Sequence, residues 1–156
     1  MRLRIQATYP SAEAGGYPTT PGLYTQEHVK EWRKTTDRVH AKGGAIFTQL
    51  WALGRANGGE SGVKVVSAGD IKDDSGTEGG AGGKEKTVPT PLTIEDIKRY
   101  QKAFADSSKL AVEAGFDGIE LHGARESTFT AQPVPFWWLI RNRWLPYRPI
   151  HSVFEQ

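Results

Sequence analysis

Apolar positions fall along the chain in two periods, and the alternation between them sets the expected architecture. Arg2 to Thr8 alternates basic or polar residues with Leu3, Ile5 and Ala7, the period-two pattern of a short strand. SAEAGGYPTTPG follows, rich in glycine and proline, and reads as a loop. Val29, Trp32 and Val39 then recur at helical spacing behind Thr25, a capping residue, and ahead of Gly43 and Gly44; a helix is predicted over roughly 26–42. AIFTQLW, Ala45 to Trp51, is a short apolar run rich in β-formers and too short for a helix, so it is predicted to be a buried strand.

From Gly54 to Pro91 the pattern fades into glycine and polar residues, including SGTEGGAGGKEK, which has little apolar surface to offset the entropy of ordering; a long mobile loop is expected over 54–91. Thr93 with Asp96 forms a variant capping box, and Ile97, Tyr100, Phe104 and Ala111 mark a second helix that ends at Gly115. Phe116 to Leu121 is a further short strand, delivering His122. Strand, helix, strand, loop, helix, strand is the order of parallel βα units, whose chemistry gathers at the carboxyl ends of the strands. Those ends are Gln6 to Thr8, Gln49 to Trp51, and His122 to Ala124.

Composition narrows the function classes. A chain of 156 residues, 37% hydrophobic and 24% charged, suits one globular domain, while 18 glycines point to a large share of loop. The net charge of +2 is too small to argue for nucleic-acid or membrane binding by long-range electrostatics. The absence of cysteine removes disulfides, thiolate metal sites and cysteine nucleophiles. No apolar run approaches the roughly 18 residues of a membrane helix, and the N-terminus lacks a signal peptide's apolar core; a soluble, cytoplasmic protein is the default expectation. His28, His40, His122 and His151 show no metal-ligand spacing, so no metal is assigned.

Four side chains at or near strand ends stand out. The amide of Gln49, closing an apolar strand, must find partners, from a bound heterocycle or from neighbouring backbone, because leaving it unpaired costs about 1–3 kcal/mol. Trp51 reads as core or as pocket wall. His122 can project from the carboxyl edge toward a substrate oxygen or anion, or serve as a structural histidine, and Glu120 reads as an interior or ion-paired carboxylate.

IQATYPSAEAGGYPTTPGLYTQEHVKEWRKTTDRVHAKGGAIFTQLWALGRA and PTPLTIEDIKRYQKAFADSSKLAVEAGFDGIELHGA together resemble the old yellow enzyme family of FMN-dependent ene reductases, particularly its fungal members. The joint occurrence of QLWALGR and AGFDGIELHGA in this order is specific to it. The resemblance implies an α/β fold, a partial TIM (β/α)8 barrel of about three parallel strands and two helices over 1–124, with residues 125–156 as a tail outside it. It implies FMN as cofactor, NAD(P)H as reductant and a small-molecule enone as substrate. By the same resemblance Ala7 contacts the flavin through its backbone and Gln49 bonds the ring edge. Trp51 then lines the substrate pocket, and His122 donates a hydrogen bond to the substrate carbonyl.

The family pattern continues after His-Gly-Ala with an Asn or His, a Gly and a proton-donating Tyr, where this chain has Arg125, Glu126 and Ser127. The resemblance also leaves the family's first strand, strands five to eight and the phosphate-binding arginine without counterparts. The expectation is a central piece of an enzyme's N-terminal half, with impaired activity and weakened FMN binding, whose tail is sequence accreted by a misread exon boundary, a frameshift or a truncated gene copy. The alternative expectation is a non-catalytic interaction module acting through that tail, where Trp137, Trp138 and Trp144 interleave with Arg141, Arg143 and Arg148. An open parallel sheet also leaves a face and two edges for self-association, or for the PVPFWWLI segment to cover.

Overall fold

A computed structural model describes residues 1–57, 62–72 and 87–123. Its centre is a parallel three-stranded sheet of β1 (Arg2–Thr8), β2 (Ala45–Leu50) and β5 (Gly118–Leu121), in spatial order β1-β2-β5. The helices α1 (Gln26–His40) and α2 (Ile94–Glu113) are the two crossovers, and both pack on the sheet face that carries Leu3, Ile5, Ile46, Leu50 and Ile119. Between β2 and α2 a two-stranded parallel pair forms from β3 (Val66–Ser67) and β4 (Thr90–Pro91).

The core lies between sheet and helices. Leu23, Ile46, Leu50 and Ala111 are fully enclosed, and Tyr100, Phe104, Phe116 and Ile119 are buried with them. The α1 stripe packs as its spacing predicts, with Val29 buried and Trp32 and Val39 half-buried. The α2 stripe holds for Tyr100, Phe104 and Ala111, whereas Ile97, in the first turn, is exposed. Thr36 is fully buried, and its hydroxyl donates to the Ala114 carbonyl at 2.6 Å, which ties α1 to the end of α2.

The boundaries move for identifiable reasons. Helix α1 stops at His40, two residues before the predicted end, and Gly43 takes a left-handed φ of 67° that lets the Gly44 N–H reach the Val39 carbonyl. Strand β2 ends at Leu50. Strand β5 begins at Gly118, because Phe116 turns into the core and Asp117 clips the chain to β2: its N–H donates to the Ile46 carbonyl and its Oδ2 accepts the Ile46 N–H, each at 2.8 Å.

The long loop predicted over 54–91 contains ordered pieces. Gly54–Ala56 is a 3-10 turn, and the β3-β4 pair is anchored by Val65, Ser67 and Pro89, all buried. Those few anchors were masked in the sequence by the surrounding glycine and charge. The run from 75 to 86 lies outside the described residues, as do Ala124 and the whole tail.

The capping box of α2 forms as its sequence predicts. The Thr93 hydroxyl accepts from the Asp96 N–H, and the Asp96 carboxylate accepts from the Thr93 N–H at 2.9 Å. These bonds from Thr93, aided by Arg99, hold the Asp96 carboxyl down at about 2, against an ordinary 3.8. A lowered folded value means that this contribution to stability is complete above the ordinary value and disappears as pH falls through the folded one. The helix should therefore lose stability on acidification between about pH 4 and 2, and Asp96→Asn should flatten that part of the acid titration followed by circular dichroism.

Candidate functional site

The carboxyl edge of the sheet brings three chain segments together. Beyond the strands proper, the Trp51 N–H donates to the Thr8 carbonyl and the His122 N–H to the Leu50 carbonyl, both at 2.9 Å. These bonds prolong the parallel ladder and place Trp51 and His122 side by side, their rings edge to face with centroids 5.8 Å apart.

Ala7, one strand over, has a left-handed φ of 58°, rare for a residue with a Cβ, and lies where the β1-β2 register slips between Ile5 and Thr8. The slip turns the Ala7 N–H toward the Gln49 carbonyl oxygen, 3.4 Å away. A held outlier of this kind stores about 1–3 kcal/mol and clusters at functional sites. Ala7→Gly is expected to be tolerated within about 0.5 kcal/mol, and Ala7→Val, whose branched Cβ fits that region poorly, to lose about 1–3 kcal/mol in urea denaturation.

Gln49 and Glu120 face each other across β2 and β5, and both are buried. The Gln49 amide donates to Glu120 Oε1 at 2.9 Å, and the other carboxylate oxygen accepts from Arg4 at 3.0 Å. In the protein alone, Gln49 is thus bonded to the Ala7 backbone and to Glu120, and Glu120 is ion-paired with Arg4. Because an amide carries two N–H bonds and two carbonyl lone pairs, Gln49 keeps one of each beyond these contacts.

Two further aromatic residues, Tyr9 and Tyr17, the second within the predicted loop, complete the edge. Tyr9, immediately after β1, lies 6.2 Å from the Trp51 ring, and Tyr17 lies 6.0 Å from it. The Tyr9 hydroxyl accepts from the Tyr17 N–H, and its backbone bonds Pro21 and Leu23, so the 9–22 segment folds back over the edge. Its 3-10 turn, Ala12–Ala14, is fixed from α2: Tyr100 donates to the Glu13 carbonyl, and burial first, then the Glu13 charge, push that phenol up to about 12 and keep it neutral at ordinary pH. Tyr9's position one residue past a strand end was the signal available in the sequence.

Of the residues singled out in the sequence, Ala7, Gln49, Trp51 and His122 are thus gathered at one edge, and Ser127, Arg125 and Glu126 lie outside the described residues. Among the described residues no group of three or more His, Asp or Glu side chains is placed to hold a metal ion, and no helix is long and apolar enough to cross a membrane.

Residues 3–127 match the model of the NADH:flavin oxidoreductase / NADH oxidase family. The chain belongs to that family. Family membership extends over both halves of the edge just described and runs past Ala124 to Ser127. Among its relatives, the NADP-dependent oxidoreductase lnbE of Aspergillus flavus is 42% identical over 122 residues, covering 76% of this chain and 30% of the relative. The 12-oxophytodienoate reductase 2 of Arabidopsis thaliana is 40% identical over 126 residues, covering 78% of this chain and 34% of the relative. The old yellow enzyme homologue of Zymomonas mobilis superposes with a TM-score of 0.69 at 30% identity, over 81% of this chain and 36% of that structure. The three parallel strands and two helices are therefore part of a (β/α)8 barrel. The chain spans about a third of the length of these curated relatives.

Proposed function

We propose that the carboxyl edge of β1, β2 and β5 forms one wall of an FMN and enone site of the ene-reductase type, with NAD(P)H as the reductant. The observation that carries this reading is the convergence of Ala7, Gln49, Trp51 and His122 at the carboxyl ends of three adjacent parallel strands, where such sheets hold ligands.

The residues fit a flavin. Its ring edge alternates donors and acceptors, and the spare N–H and lone pair of Gln49 match that alternation, while Ala7 brings backbone rather than side chain to the same place. FMN, when bound, would supply the hydride for an activated C=C bond. The chain's own part is positioning: Trp51, braced by Tyr9 and Tyr17, would wall the pocket, and His122, set edge-on to Trp51, would act on the substrate carbonyl oxygen on which charge develops.

The position of the proton-donating tyrosine holds Ser127, whose hydroxyl is shorter and less acidic. Turnover by this chain alone is accordingly proposed to be absent, and flavin binding to be the retained property. Titrating FMN with the full chain should give saturable quenching of flavin fluorescence at micromolar protein, with Gln49→Ala weakening it about tenfold. Unquenched flavin in the presence of folded chain would contradict the reading.

A further inference from the structure

On the sheet face away from the helices, Arg4, Glu120, Gln49 and the Ala7 N–H form one continuous run of hydrogen bonds spanning all three strands. Arg4 is on β1 and Glu120 on β5, so the guanidinium reaches across β2 to its partner. Glu120 is 7% exposed and Gln49 9%, whereas Arg4 is open to solvent.

An amide group has nearly the same shape in either of its two flipped orientations, and only its partners choose between them. A carboxylate can only accept, so Glu120 requires the Gln49 nitrogen on its own side and turns the carbonyl oxygen toward the Ala7 N–H. Arg4 occupies the second carboxylate oxygen and keeps the acceptor in place. We propose that Glu120, held by Arg4, is a positioning residue that fixes which end of the Gln49 amide faces the bound ring. This rests on the reading of Gln49 as a flavin-edge residue, and it gives Glu120 a task beyond ion pairing.

The test uses the full chain labelled with 15N. The Gln49 side-chain NH2 pair is identified as the one missing in Gln49→Leu, and its hydrogen exchange is measured in the wild type and in Glu120→Gln. Arg4 and Gln49 donate to different oxygens of Glu120, and Glu120→Gln replaces one of those two acceptors by an NH2 group, so both bonds cannot be kept in place. The proposal expects the NH2 pair to move toward the position of a free glutamine amide, to exchange at least about tenfold faster, and FMN affinity to fall about tenfold, while resonances of α1 and α2 stay in place. An unchanged NH2 pair and unchanged exchange in folded Glu120→Gln would overturn it.

If Glu120→Gln does not fold, Arg4→Met serves, since Arg4 is exposed: a shift of the same NH2 pair supports the proposal and its absence overturns it. The two readings separate cleanly. A wild type that fails to quench FMN contradicts the proposed function, while the amide measurement still decides the role of Glu120.

Discussion

Gln49→Glu is expected to destabilise the chain by about 3–5 kcal/mol at neutral pH, one of the two largest effects open to a single substitution here. The change is nearly isosteric, so packing is not the cause. It replaces the nitrogen that donates to Glu120 Oε1 at 2.9 Å by an oxygen, and sets two buried carboxylates against each other with only Arg4 to share. Charge repulsion and the loss of the charge-assisted bond act in the same direction. Urea denaturation at pH 7 measures it, with Gln49→Leu as the partner experiment, since that variant removes the bond without adding a charge. A loss below about 1 kcal/mol for Gln49→Glu would mean that the Gln49–Glu120 contact does not persist in solution.

The second large effect is in the core. Phe116→Ala should cost about 3–5 kcal/mol, the range for deleting a buried aromatic side chain. Phe116 is 2% exposed and meets Trp32 edge to face at 5.4 Å, so its loss opens a void between α1 and the start of β5. The adjacent Asp117 clip depends on that anchoring, because it holds β5 to β2 through Ile46. Ile97→Ala, at an exposed position on α2, should stay within about 0.5 kcal/mol and provides the control in the same thermal or chemical melt.

These two positions also mark what a sequence can and cannot disclose. The strands and helices were legible because the sheet has one face packed under two helices, which imposes apolar runs of fixed period on β2, α1 and α2. Capping was legible for the same local reason: Thr93 and Asp96 interact over three residues. Pairing across strands was not. That Gln49 stands opposite Glu120 follows from the β2-β5 register, and two residues 71 positions apart carry no local sign of it. Nor does an alanine announce a left-handed backbone, since the φ of Ala7 is imposed by the slipped register of β1 and not by its side chain.

The aromatic edge was half legible. Trp51 and His122 follow apolar strands directly, whereas Tyr17 reaches the site only because the 9–22 segment is pinned by Pro21, Leu23 and Tyr100. The sheet face away from the helices had been expected as barrel-interior surface in need of cover. In the described residues it carries Arg4, Gln49 and Glu120 beside Phe47, and those three polar side chains are bonded to one another.

The most direct test of the central claim, that the carboxyl edge of this sheet is a flavin wall, is a two-dimensional 15N–1H spectrum of the full chain recorded with and without FMN. The account predicts shifts concentrated at the backbone amides of Ala7 and His122, the Gln49 side-chain amide and the Trp51 indole N–H, with the opposite end of the sheet, around Leu3 and Gly44, unmoved. Shifts confined to that opposite end, or none at all at saturating FMN, would contradict it.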